Sequence, residues 1–344
     1  MTNVSPSIPL QPAVRSGRAS FDWVIAILSL WMIGGIHLDA WAHHQFEVET
    51  FFTPWHGVLY SGFLAVAAVL VGTFVRQWWQ RRDWRQALPA GYQLSLLGVV
   101  IFLAGGVGDG VWHTLFGIEV NIEALLSPTH LLLALGGAFI VTGPVRAAWQ
   151  RQETDQGFLA LLPMLISLAL LLAVLSFFTA YANPFAETVV AQGTRPAVEE
   201  QVFLLQGLGV ASILVQTTLM MGLLLLTVRR WTLPFGSLTF MLSLAALLSV
   251  SVHEDYQLLP VAILGGLAAD VLRWRLQPSA TRPGAFRLFA LAVPAIFYAL
   301  YFVTLALTGG VWWTVHLWAG AIVLAGLAGW LLSYGIVPPA QAAG

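Results

Sequence analysis

Long uninterrupted apolar runs alternate with short polar segments along the whole chain. Because about 20 apolar residues are needed for one helical crossing of a bilayer, the pattern predicts ten spans. They lie near residues 22–43, 54–75, 92–115, 125–147, 158–182, 201–228, 234–253, 257–273, 285–307 and 311–334. The runs are continuous rather than alternating, and hydrocarbon offers no partner to free peptide groups, so the predicted class is all-α and polytopic.

Composition strengthens the membrane assignment. The 344 residues are 58% hydrophobic and 9% charged, and the mean hydropathy is +0.80, which makes the lipid bilayer the expected solvent. A net charge of −1 gives no basic surface for nucleic acid. Cysteine is absent, so a metal ion would need nitrogen or oxygen ligands. The polar residues 1–20 predict a disordered cytoplasmic tail, and 337–344 a short C-terminal tail.

The arginines predict the orientation. All fifteen basic residues are arginine, and short cytoplasmic loops retain basic residues. With both termini in the cytoplasm, fourteen arginines lie inside and only Arg195 lies outside. The prediction is a multi-pass protein of the inner (plasma) membrane, built as five hairpins. Their outer turns lie near 44–53, 116–124, 183–200, 254–256 and 308–310.

An internal repeat marks the first two hairpins, within residues 21–147, and further hairpins fill 148–336. Each copy carries an aspartate, a histidine four residues later, and a Pro-x-His after the turn. The aligned pairs are Asp39 with Asp109, His43 with His113, Pro54 with Pro128, and His56 with His130. The first two pairs are offset by 70 and the last two by 74, so the second copy has a longer turn.

Helix geometry gives the repeat a chemical meaning. Residues four apart share one helical face, and Thr53-Pro54 or Ser127-Pro128 is typical of a helix start. Each hairpin should therefore gather one carboxylate and two imidazoles, a set that suits zinc, copper or iron. The predicted metal ligands are Asp39, His43, His56, Asp109, His113 and His130. The competing interpretation is a hydrogen-bonded brace between helix ends.

Further candidates lie near the same predicted face. His253 could supply another metal ligand, with Glu254 or Asp255 as a base, although charged turns also commonly cap hairpins. The repeat turns add acidic residues for proton transfer or for support of the ligands, namely Glu47, Glu49, Glu119 and Glu123. The predicted catalytic carboxylates are Glu47, Glu123 and Glu254. His37, His44 and His316, taken singly, are typical of interfacial residues.

The first copy, Asp39-x3-His43-x12-His56 with the ending Phe-Thr-Pro-Trp-His, resembles the metal motif of the C subunit of copper membrane monooxygenases, the particulate methane and ammonia monooxygenases. The second copy is similar to the same motif in its Asp-x-x-Trp-His start at 109–113 and its Ser-Pro-x-His ending at 127–130.

In that family, the aspartate and two histidines bind a metal near the outer side of the membrane. The resemblance thus implies the same role for both sets of residues here, with copper as the expected ion and with partner subunits. This chain departs from the family in having two copies, in the longer x16 spacing of the second, and in its additional hairpins. The resemblance therefore concerns the metal site rather than the substrate.

Three functions follow as hypotheses. The leading one is a metal-dependent membrane oxidoreductase, monooxygenase-like, acting on a small or lipophilic molecule. A zinc-dependent membrane hydrolase would use the same ligands. A transporter or metal-handling protein is the alternative from another class, although transporter sites usually lie near the membrane midplane, at broken helices.

Overall fold

The computed structural model describes residues 19–46, 53–117, 119, 122–151 and 157–339. Regular structure in these ranges is entirely helical. The helices are α1 (Ala19–Gln45), α2 (Pro54–Arg81), α3 (Gln93–Phe116), α4 (Ile122–Leu126), α5 (Pro128–Val141), α6 (Gly143–Gln150), α7 (Phe158–Phe178), α8 (Glu199–Arg230), α9 (Ser237–His253), α10 (Leu259–Leu276), α11 (Pro283–Thr308) and α12 (Val315–Ile336). Residues 1–18, Glu47, Glu49 and 340–344 lie outside the described ranges.

Nine helical segments of the described chain are long and apolar enough to cross a membrane. They are α1, α2, α3, α5 with α6, α7, α8, α10 with the turn before it, α11 and α12. The prediction of an all-helical, multi-pass membrane protein is confirmed. The remaining predicted span, 234–253, corresponds to α9, which has 17 residues and is shorter than the other nine. The count of ten crossings remains a prediction.

Helix α7 lies between two apolar cores. One face contributes Ile166, Leu170 and Val174 to a core shared with α1, α2, α3 and α5. Other residues of α7, including Leu165 and Leu168, join the core formed with α8–α12. Because α1 also packs against α7 and α9, the two repeated hairpins are joined to the second half of the chain.

Glycines allow the repeated hairpins to close tightly. A Cβ at Gly62 of α2 would lie 2.7 Å from the backbone nitrogen of Met32 in α1. In the second hairpin, a Cβ at Gly136 of α5 would lie 2.6 Å from the backbone nitrogen of Phe102 in α3. Backbones this close exclude larger residues, as is common where membrane helices pack. Gly136 therefore allows α3 and α5 to pack closely.

Buried carboxylates fix the ends of several helices. Asp22, near the start of α1, accepts a 2.6 Å hydrogen bond from the Tyr92 hydroxyl and forms an ion pair with Arg151. Asp270 of α10 accepts hydrogen bonds from the backbone N–H and the hydroxyl of Thr239, at 2.9 and 2.7 Å. Asp270 thus caps the first turn of α9. Both carboxylates are buried and paired, as buried charges must be.

Candidate metal centre

The first ligand set, Asp39, His43 and His56, joins the end of α1 to the start of α2. Asp39 Oδ2 lies 3.7 Å from His43 Nε2 and 3.3 Å from His56 Nε2. One ligand atom from each of the three residues falls within 4.8 Å of the others. The predicted convergence of one carboxylate and two imidazoles is confirmed for this hairpin.

The second ligand set, Asp109, His113 and His130, joins α3 to α5 in the same way. Asp109 Oδ2 lies 3.3 Å from His113 Nε2, and Asp109 Oδ1 lies 3.6 Å from His130 Nε2. Its ligand atoms also fall within 4.8 Å of one another. The longer turn of the second copy therefore leaves the arrangement of the three residues intact.

Helix caps place the returning histidines. Thr53 precedes Pro54 and accepts a 3.1 Å hydrogen bond from the backbone N–H of His56. Ser127 makes the corresponding bond, at 3.4 Å, to the backbone N–H of His130. The same hydroxyls also contact the Nδ1 atoms of these histidines, at 3.1 and 2.6 Å. With Nδ1 directed at the cap, each Nε2 faces the aspartate. The predicted helix starts are confirmed.

The donor chemistry fits a cation. His113 Nδ1 lies 3.0 Å from Glu119 Oε2 and 3.3 Å from the carbonyl oxygen of Gly117. Both neighbours are acceptors, so Nδ1 carries the hydrogen, and in the neutral ring Nε2 presents a lone pair to the Asp109 carboxylate. Two lone pairs face each other stably only when a proton or a metal ion lies between them. A carboxylate–histidine pair of this kind is typical support for a metal ligand.

The first ligand set also contains a carboxylate oxygen that suits a cation. Asp39 Oδ1 is buried and has no hydrogen-bond partner among the described residues. A buried carboxylate oxygen without a partner is costly in free energy. A bound cation would remove that cost. Its counterpart, Asp109 Oδ1, accepts a 2.9 Å hydrogen bond from the Thr129 hydroxyl.

Both ligand sets line one cavity of about 470 Å³, called here the central cavity. The apolar part of its wall includes Ile36, Leu59, Phe102, Leu133, Phe177 and Val252. Helices α7 and α9 and the segment before α8 complete the wall, so the second half of the chain contributes to it. A mainly apolar cavity with a few converging polar groups is the usual form of a small-molecule site.

The two ligand sets differ in exposure. The His43 side chain is 35% exposed, whereas that of Asp109 is 3% exposed. His113 and Asp39 are intermediate, at 13% and 14%. The first set is therefore most accessible at His43, and the second set is most accessible at His130, which is 24% exposed.

The other predicted residues lie in different places. His253 belongs to neither ligand set, but it lines the central cavity and its ring contacts His44 at 4.5 Å between centroids. Glu254 is exposed and accepts a 2.8 Å hydrogen bond from Trp41 Nε1. Glu123 is exposed on α4. Glu47 lies outside the described residues, so the catalytic role of all three carboxylates remains a prediction.

Four further residues line the central cavity: His37 and His44, which the sequence indicated as interfacial residues, and Tyr60 and Glu187, which it did not single out. His37 is buried, and its Nδ1 donates a 2.9 Å hydrogen bond to the Ile33 carbonyl. Its Nε2 has no hydrogen-bond partner within the described part of the chain. The spacing of His37 and His44, seven residues apart on one face of α1, was the available signal. The sequence around Glu187 offered no comparable signal, because nothing in that segment indicates which helices it contacts.

Comparison of the chain with models of protein families, with curated proteins and with solved structures found no match.

Proposed function

We propose that this protein is a membrane-embedded metalloenzyme that binds a divalent transition-metal ion at each of its two ligand sets. The observation that carries the proposal is that both sets, each of two imidazoles and one carboxylate, line the same cavity. A structural brace would have no need of a shared cavity. Two nitrogen donors and one oxygen donor leave coordination positions open for a substrate.

The proposed reaction is an oxidation of a small or lipophilic molecule by dioxygen, with copper as the ion; the substrate would receive one oxygen atom, and the other would be reduced to water by electrons from a partner subunit. Bound copper would supply redox chemistry, as the resemblance to the C subunit of copper membrane monooxygenases implies. The chain itself would orient the imidazoles through Thr53, Ser127 and Glu119. The apolar wall would hold a lipophilic substrate and limit access of water.

The proposed setting is the inner (plasma) membrane, with ten crossings in five hairpins and both termini in the cytoplasm. The arginine distribution supports this orientation. It would make both ligand sets accessible from the outer face, where an ion can reach them without crossing the bilayer. Partner subunits that deliver electrons are part of the proposal, because the C subunits that the motif resembles work with partner subunits.

Elemental analysis of protein purified without added metal tests the proposal. We expect two equivalents of copper per chain in the wild type, and none at the ligand sets in the His43→Ala plus His113→Ala variant, because each substitution removes one of three ligands. His316→Ala is the matched control, since His316 is exposed and does not line the central cavity. The control should keep both equivalents.

The outcomes separate the functions. Stoichiometric zinc without copper would replace the oxidoreductase with a hydrolase, because zinc has no redox chemistry in proteins. Unchanged metal content in the double variant would remove both ligand sets from consideration and leave the hydrogen-bonded brace as the explanation of the repeat.

A further inference from the structure

Two histidines from opposite halves of the chain meet at the edge of the central cavity. His44 is the last histidine of α1, and His253 is the last residue of α9. Their ring centroids are 4.5 Å apart and the rings are tilted by 53°. For comparison, the histidine rings within each ligand set are 5.9 Å apart. His44 and His253 are thus close enough for both imidazoles to bind one ion.

The two helices bring partial negative charge to this point. α1 ends at Gln45 and α9 ends at His253, so both histidines lie in the last turn of their helices. The C-terminal end of a helix carries unpaired carbonyl groups and favours a cation. Two such ends converge on one imidazole pair, and both therefore favour positive charge between the rings.

A hydrogen bond holds the two helix ends together. Trp41 Nε1, one turn before His44, donates to Glu254 Oε1 at 2.8 Å. Glu254 follows His253 directly and has a left-handed backbone conformation, with φ of 60°. The contact between His44 and His253 is therefore fixed by a neighbouring side-chain bond and does not depend on the rings alone.

A carboxylate lies on the same part of the cavity wall. Glu187, in the segment between α7 and α8, is exposed and lines the central cavity with His44 and His253. Partial burial raises the pKa of the Glu187 carboxyl, and the positive charge that His44 can carry opposes that rise. The carboxylate and the imidazole pair thus face the same cavity.

We propose that His44, His253 and Glu187, called here the rim cluster, form a third binding site for a divalent transition-metal ion at the edge of the central cavity. The site combines two imidazoles and one carboxylate, the same donors as each ligand set. It differs in origin, because its residues come from both halves of the chain rather than from one hairpin. An ion bound there would also join the two halves of the chain.

Zinc titration of the metal-stripped full-length protein tests the proposal. We expect three bound Zn²⁺ in the wild type at saturation, and two in the His44→Ala plus His253→Ala variant, by elemental analysis after equilibrium dialysis. Glu187→Gln should keep the third ion but bind it at least about tenfold more weakly. His316→Ala, which removes an exposed imidazole elsewhere, should still bind three.

A second measurement separates this site from the two ligand sets. In the His43→Ala plus His113→Ala variant, one Zn²⁺ should remain bound, at the rim cluster. When Cu²⁺ replaces that Zn²⁺, its electron paramagnetic resonance spectrum should show coupling to two nitrogens. If that ion remains while the ligand sets bind nothing in any variant, the proposed function fails and the rim site stands. The rim site would be overturned if the His44→Ala plus His253→Ala variant bound as much zinc as the wild type. It would also be overturned if the Cu²⁺ spectrum showed no nitrogen coupling.

Discussion

His113 illustrates how one side chain can be held in the orientation that a metal requires. Its Nδ1 lies between the Glu119 carboxylate and the Gly117 carbonyl, so the ring cannot turn without losing both acceptors. Its Nε2 consequently faces Asp109. His56 Nδ1 instead contacts the Thr53 hydroxyl at 3.1 Å, and the two ligand sets should therefore differ in affinity.

Replacing Glu119 tests this difference. In Glu119→Ala, we expect metal affinity at the second ligand set to fall by about 10–100-fold, because the carboxylate that fixes His113 is lost. The first ligand set should be unaffected. Glu119→Gln should have a smaller effect, since the amide oxygen keeps a partial negative charge beside His113 Nδ1. Competition with a chelator of known affinity would measure both sites.

Glu123→Ala is the matched control, because Glu123 is an exposed carboxylate four residues further along the same connection. If Glu119→Ala and Glu123→Ala lower affinity equally, the effect arises from the general negative charge of the segment and not from the bond to His113.

At the scale of the helices, the close contact of α1 with α2 depends on Gly62. Its Cβ position lies 2.7 Å from the backbone nitrogen of Met32 and 2.8 Å from the Met32 Cα. A backbone atom cannot move aside as a flexible side chain can. A methyl group at Gly62 would therefore separate two helices that together hold the first ligand set.

We expect Gly62→Ala to lower the free energy of unfolding by about 1–3 kcal/mol, the usual cost of overpacking, and to weaken metal binding at the first ligand set. The midpoint of thermal unfolding of the purified protein would measure the change. Gly72→Ala on the same helix is the control, because nothing lies within 4 Å of its Cβ position. A loss of equal size in both variants would show that the contact with Met32 is not the cause.

The sequence was sufficient to predict the helices and the two ligand sets, because both depend on local pattern. Apolar run length determines where a helix crosses a bilayer, and the spacing of Asp39 and His43 determines that both share a face. The cap at Thr53 then places His56 in the first turn of α2. Each of these relations spans fewer than about 20 residues, and helix geometry relates them directly.

The rim cluster and the central cavity could not be predicted in the same way. His44 and His253 are separated by most of the chain, and no local rule relates the end of α1 to the end of α9. Their meeting depends on how α1 packs against α7 and α9. Glu187 reaches the cavity through an irregular segment, for which apolar periodicity gives no position.

At the scale of the whole molecule, function depends on which side of the membrane the histidine-bearing end faces. The chain contains no cysteine, so single introduced cysteines can report accessibility without background. In Arg195→Cys, the thiol would lie in the exposed segment between α7 and α8. In Gln86→Cys, it would lie in the exposed connection between α2 and α3, at the opposite helix ends.

We expect a membrane-impermeant maleimide to label Arg195→Cys in intact spheroplasts, and to label Gln86→Cys only after the membrane is permeabilised. The reason is that basic residues are retained in the cytoplasm, where Gln86 is flanked by Arg81, Arg82 and Arg85. The reverse pattern would place both ligand sets and the rim cluster on the cytoplasmic side. Metal ions would then have to be supplied from the cytoplasm, and the proposed delivery from the outer face would be wrong even if all three sites bind metal.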